Sequence, residues 1–249
     1  MKALPMTDPD SPRRLHPLER KPDYDPYAEM EAPPRPRPSF MQLVRQSPVT
    51  WALIAVNCVV FLLGALVPGL DRQLVTWGAN QGQAIWGEGQ AWRLLTSTFL
   101  HGGLIHLAFN MLTLQNIGAA IERFYRTGRL LALYFASGLG GALLSALLND
   151  PRSLSVGASG AVLGLVAADL AMVMRVRYLS PQHFDRQLRG SALYLAMLIG
   201  IGFLPGSIID NWGHIGGLVT GALLSGYYLR GRLGQHLERV VRRNLTPAG

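Results

Sequence analysis

The chain is 249 residues long, 49% hydrophobic and only 15% charged, with a formal net charge of +8. That length allows one domain or two small ones, and so apolar a composition argues against a soluble enzyme and for a membrane protein. The single cysteine, Cys58, rules out an intramolecular disulfide.

Ten of the sixteen prolines fall in the first forty residues among mixed charges, so residues 1–47 read as a disordered cytoplasmic arm that cannot pack a core. No apolar run begins before Thr50, which speaks against a cleaved signal peptide, and the arm's acidic residues speak against a mitochondrial transit peptide. Apolar runs then recur at about Thr50 to Val67, Leu100 to Ile121, Leu130 to Leu148, Ala158 to Met174, Ser191 to Leu204 and Trp212 to Leu229. A helix of roughly 17 to 20 apolar residues spans a bilayer, and only the fifth run falls short; as a re-entrant segment it would lower the count to five.

The basic residues order these runs. Of 23 Lys and Arg residues, eight precede Pro48, three lie between Glu122 and Arg129, four between Arg175 and Gly190, and five from Arg230 onward. Only Arg72, Arg93 and Arg152 lie in the other connections. Basic segments prefer the cytoplasmic face, and those on either side of runs five and six share that face if two crossings separate them. The expectation is an all-α membrane protein of six transmembrane helices with both termini cytoplasmic, the domain covering 48–230 and a basic tail 231–249. The net charge then belongs to topology and contact with anionic lipid rather than to nucleic acid.

Polar residues inside such helices are costly and invite a functional reading. They include Asn57, His101, His106, Asn110, Gln115, Asn116, Ser159, Asp169 and His214. With the N-terminus inside, helices two, four and six start at the outer side, which brings His106, Asn110, Ser159 and His214 to a similar shallow depth. His106 and Asn110, four apart, share one helix face, about 40° apart at 3.6 residues per turn. Gly160 and Gly164 on helix four, and Gly213, Gly217 and Gly221 on helix six, form small faces that let helices approach backbone to backbone. If those faces meet, His214 can take the proton of Ser159. The alternative is plain packing, with Ser159 only a helix N-cap. Free N–H groups at the start of helix four, with the His106 and Asn110 side chains, would face an oxyanion formed by attack of Ser159.

Other chemistries fit less well. There is no HExxH pattern for zinc, and His101 and His106 would point about 140° apart if both were helical. The GxSxG elbow of soluble hydrolases fails because Ala161 holds its last glycine position. A small-solute transporter could use Asp169 as an ion relay, but the polar residues cluster near one surface rather than along a path.

Trp92-Arg93, HxxxN from His106 to Asn110, GASG from Gly157 to Gly160 and GHIGGLVTG from Gly213 to Gly221, in this order, resemble the bacterial rhomboid intramembrane serine proteases. The resemblance implies a Ser159–His214 dyad without an acidic third member, needing no metal or cofactor. It places His106, Asn110 and the N–H groups of Ala158 and Ser159 at the oxyanion. It makes Trp92, Arg93 and His101 structural, and Glu122 scaffold. Substrates would be transmembrane proteins cut near their outer ends, in a bacterial inner membrane, with the active site facing outward. Helix five and the segment FLPGSIIDNW would form a gate and cap. Leu163 departs from the pattern, since many rhomboids carry an aromatic residue there against the catalytic histidine. A catalytically inactive, membrane-protein-binding relative is the remaining alternative.

Overall fold

The computed structural model describes residues 39–203 and 209–245. The proline-rich segment 1–38 lies outside the described residues, as do 204–208 of the stretch read as a cap. From Phe40 onward the chain forms one compact helical unit. Its only β-type pairing among the described residues is an isolated antiparallel bridge between Asn80 and Ser155.

Helix α1 (Phe40–Gln46) leads into α2 (Pro48–Leu66), whose first residue is a proline that needs no N–H partner there. Thr50, Leu53, Asn57 and Gly64 are buried along one stripe of α2, at helical spacing, while Val56, Val59, Leu62, Leu63 and Leu66 stay exposed. An apolar exposed face suits hydrocarbon rather than water. Three short helices, α3 (Leu70–Gly78), α4 (Gly82–Glu88) and α5 (Arg93–Thr96), fill the connection to the second apolar run.

That run is a continuous helix, Leu104–Tyr125, made of α6 (Leu104–Thr113), a five-residue π segment (Leu114–Gly118) and α7 (Ala119–Tyr125). It is followed by α8 (Thr127–Leu148), α9 (Ser159–Val176), α10 (Pro181–Gly202), α11 (Asn211–Leu229) and α12 (Arg232–Leu245). Among the described residues, four helices are long and apolar enough to cross a membrane: Pro48–Leu66, Leu104–Tyr125, Thr127–Leu148 and Ser159–Leu179. The short fifth run belongs to a 22-residue helix, because α10 begins at Pro181, ten residues ahead of the apolar stretch, with a polar first half.

Helix α9 is central. Eleven of its residues are buried, among them Ala161, Val162, Leu163, Leu165, Val166, Ala168 and Met172, so it is enclosed on nearly all sides. It packs against α8 and α11 through glycines. A Cβ on Gly217 would overlap the Gly160 carbonyl, and one on Gly221 the Gly164 carbonyl. From α8, Gly141 approaches the Gly213 carbonyl as closely, and Gly216 of α11 faces the Gly140 carbonyl. Where only hydrogen atoms separate backbones, dispersion contacts form along the helix length, which is the main glue available in lipid. The glycine faces of α9 and α11 therefore meet, and a third face on α8 joins them.

Polar ties close one end of the bundle. The Glu122 carboxylate, 4% exposed, accepts hydrogen bonds from the N–H groups of Val49 and Thr50 (3.0 and 2.8 Å) and from the Thr50 hydroxyl (2.7 Å). It thereby satisfies N–H groups of the first turn of α2 with negative charge, as the helix dipole favours. At the same end, α12 buries Leu237 and packs Leu233 and Val241 against the core, and its Glu238 pairs with Arg175 at 2.9 Å. Helix formation thus extends past the 48–230 limits at both sides, into α1 and α12.

Candidate active site

Ser159 is the first residue of α9, with Ala158, fully buried, as the preceding cap residue. His214 stands in the first turn of α11 and is 6% exposed. Its Nε2 lies 3.0 Å from the Ser159 Oγ, across the glycine interface of the two helices. His214 Nδ1 is buried without a hydrogen-bond partner among the described residues, so no carboxylate orients the ring from behind. With the ring proton on Nδ1, Nε2 presents its lone pair to the serine hydroxyl. The reading of Ser159 as a mere N-cap does not describe this geometry, because its hydroxyl points to His214.

Gly157 explains the small residue two positions before the serine. Its φ of 135° is a region that favours glycine, and a Cβ there would stand 2.7 Å from Cε1 of His106. The same Cβ position is 3.7 Å from Ser159 Oγ, so the His106 ring and the serine flank one spot. Asn110, one turn further along α6, is 6% exposed and donates one amide hydrogen to the His106 carbonyl at 3.0 Å, leaving its second N–H for other use. His101 lies ahead of α6 rather than within it, so the expected 140° separation does not apply; the two imidazoles stand edge to face, 5.3 Å apart. No group of three His, Cys, Asp or Glu side chains able to hold a metal occurs among the described residues.

The remaining motif residues lie apart from this spot. Arg93, 5% exposed, binds Gln90 Oε1 (2.6 Å) and the carbonyls of Ala79 (2.8 Å) and Thr76 (2.7 Å), while Trp92 Nε1 donates to the Trp77 carbonyl at 3.0 Å. The pair ties the start of α5 to the end of α3 and to Gln90. Glu122 is sixteen residues beyond His106, about 24 Å at 1.5 Å per residue, at the other end of the helix. Asp169 accepts a hydrogen bond from Gln187 at 3.3 Å, while Arg175 pairs with Glu238 rather than with Asp169. Leu163 is 2% exposed and fills space in the core.

One cluster had no sequence reading. The Asp210 carboxylate accepts from the Ser155 hydroxyl (2.5 Å), from Asn149 Nδ2 (2.9 Å) and from the Gly213 N–H (2.9 Å), capping α11. Burial pushes its carboxyl up, but hydrogen bonds from Ser145, Ser155, Gly213 and Asn149 outweigh that and hold it below the usual carboxylate range. Ser155 also exchanges both backbone hydrogen bonds with Asn80, at 2.9 Å each. An aspartate four residues before a helical histidine was the available signal, since Asp is a favoured N-cap. A small polar cavity of about 30 Å³ adjoins these groups, lined in part by Ser97, Ser155, Ser159 and Asp210. It is large enough for a water molecule.

The family model described as the rhomboid domain matches residues 88–231, more than half of the chain and all the helices that carry these side chains. The chain belongs to the rhomboid family. This rhomboid is 33% identical to the rhomboid protease AarA of Providencia stuartii, across 73% of the chain and 72% of that relative. It is 38% identical to the rhomboid protease GluP of Bacillus subtilis, across 69% of the chain but 33% of that protein. It is also 38% identical to the rhomboid-like protease 1 of Toxoplasma gondii, across 63% of the chain and 53% of that protein. The rhomboid thus spans between a third and about half of the length of several curated relatives it matches. It is a multi-pass membrane protein of a family that includes proteases.

Proposed function

We propose that this rhomboid is an intramembrane serine endopeptidase in which Ser159 and His214 form the catalytic dyad. The observation that carries the reading is the 3.0 Å approach of His214 Nε2 to Ser159 Oγ at the start of two closely packed helices. In that arrangement His214 removes the hydroxyl proton as Ser159 attacks a peptide carbonyl, then returns it to the leaving amine; water hydrolyses the acyl-enzyme with His214 again as base. The carbonyl oxygen, negative in the tetrahedral intermediate, is received by the N–H groups of Ala158 and Ser159 at the positive end of α9, with the His106 ring and the spare Asn110 N–H as further donors. No step calls for a metal or cofactor.

Membership of the rhomboid family, with relatives named as proteases, supports membrane-protein substrates. Six spans with both termini cytoplasmic put the starts of α6, α9 and α11 toward the outer side of a bacterial inner membrane, where water reaches a shallow dyad. A transmembrane segment that unwinds near its outer end, at small residues, presents an extended backbone there. Helix α10 is the element past which the segment enters. The test is reconstitution of the full chain in liposomes with a panel of single-span proteins and mapping of the product termini. Cuts near the outer ends of the spans are expected. Intact substrates, with solute movement or stable retention of a membrane protein instead, would replace this reading with the transporter or the inactive binder.

A further inference from the structure

The hydrogen bonds around Asp210 have a geometry that the dyad alone does not account for. Asp210 stands four residues before His214, and Ser155 four residues before Ser159. Their side chains meet at 2.5 Å, so the two short segments that carry the reacting atoms are tied at their far ends by one hydroxyl-to-carboxylate bond. Hydrogen bonds of that kind, short and charge-assisted, are about twice as strong as neutral ones. Each segment is further fixed to something rigid. Asp210 caps α11 through the Gly213 N–H and takes the amide of Asn149 at the end of α8, while its own carbonyl accepts the His214 N–H at 3.0 Å. Ser155 is held by its backbone pairing with Asn80, and Gly157 N–H binds the Ser97 carbonyl at 2.9 Å.

By contrast, the contact between α9 and α11 just below the dyad is made by glycine backbones, which set the distance between helices, and the 3.4 Å hydrogen bond from the Ser225 hydroxyl to the Ala168 carbonyl lies nine residues along α9 from Ser159. Register is what aligns Nε2 with Oγ. A shift of about 1 Å between reacting groups costs on the order of 10²-fold in rate.

We infer that Asp210 is a positioning residue for the Ser159–His214 pair, acting through Ser155 to lock the serine segment to the start of the histidine helix. It touches neither reacting side chain and is not a third catalytic member. The inference rests on the dyad proposed above. The experiment uses the full chain in detergent with a transmembrane substrate, and compares wild type, Ser159→Ala, Asp210→Asn, Ser155→Ala and the Asp210→Asn/Ser155→Ala double variant. It reads kcat, KM, and the rate and final stoichiometry of Ser159 labelling by a fluorophosphonate, which needs the dyad but no substrate docking.

Asp210→Asn is expected to lower kcat and the labelling rate together by about 10- to 100-fold with KM within about twofold. Ser155→Ala, which removes only the neutral partner and keeps the α11 cap, is expected to lower both by about 5- to 20-fold. The double variant is expected to be no worse than Asp210→Asn, because both remove one bond. A lower labelling stoichiometry with an unchanged rate would mean that Asp210 only supports folding, and would overturn the inference. So would independent losses that multiply in the double variant. Absence of cleavage and labelling in wild type would instead remove the dyad itself.

Discussion

Gly217 of α11 faces Gly160 of α9 so closely that a Cβ on Gly217 would overlap the Gly160 carbonyl oxygen. Both partners are backbone, so no flexible side chain can yield. Gly217→Ala is expected to destabilise the protein by about 1–3 kcal/mol or more, as overpacking does, and to move His214 away from Ser159. Gly226 on the same helix has nothing within 4 Å of its Cβ position, so Gly226→Ala is expected to be neutral or slightly stabilising through helix propensity. Thermal unfolding of both variants in one detergent checks the pair; equal melting temperatures would contradict the close approach.

Glu122 anchors the opposite end of the bundle to the first turn of α2. Glu122→Gln keeps one acceptor oxygen but turns an N–H₂ toward either the Val49 N–H or the Thr50 donors, so the expected cost is about 1–3 kcal/mol. Because the site is about 24 Å away, the labelling rate of the protein that remains folded is expected to be unchanged. Unfolding in detergent and fluorophosphonate labelling measure the two effects separately.

The two donors on α6 are read as acting on the developing oxyanion. His106→Ala and Asn110→Ala are each expected to reduce kcat by about 10²- to 10³-fold, with smaller effects on KM. Steady-state kinetics on a transmembrane substrate test this, and a change confined to KM would assign these residues to binding instead.

Much of this site was legible because its geometry follows helical arithmetic. Glycines at a spacing of four on two apolar runs marked the faces that meet, and Ser159 and His214 adjoined them. The resemblance added Gly157, whose reason, a positive φ beneath the His106 ring, needs coordinates. The glycines of α8 went unread because Gly140 and Gly141 adjoin no polar residue that draws attention to them. Helices α3 to α5 are only nine, seven and four residues long, so they gave no long apolar signal. Helix α12 read as a basic tail, although Leu233, Leu237 and Val241 form a stripe at helical spacing that packs against the core. Asp210 was hidden for another reason: its partners Asn149 and Ser155 come from distant parts of the chain, and no local pattern pairs them.

Asp210 also makes a prediction about acid. Its carboxyl titrates lower in the fold than in the unfolded chain, so it contributes stability above its unfolded value of about 3.9 and loses that contribution as pH falls through its lower folded value. The melting temperature of Asp210→Asn in detergent is expected to lie below that of wild type near neutral pH, with the gap closing only below about pH 4. A gap that closed between pH 5 and 7 would assign the effect to another group.

The central claim is that Ser159 and His214 are the reacting pair. The most direct measurement is cleavage of a transmembrane substrate by purified wild type, Ser159→Ala and His214→Ala, each verified as folded by its melting temperature, in detergent and in liposomes. The dyad predicts cleavage by wild type and none above background by either variant in both settings. Undiminished cleavage by either variant would contradict it.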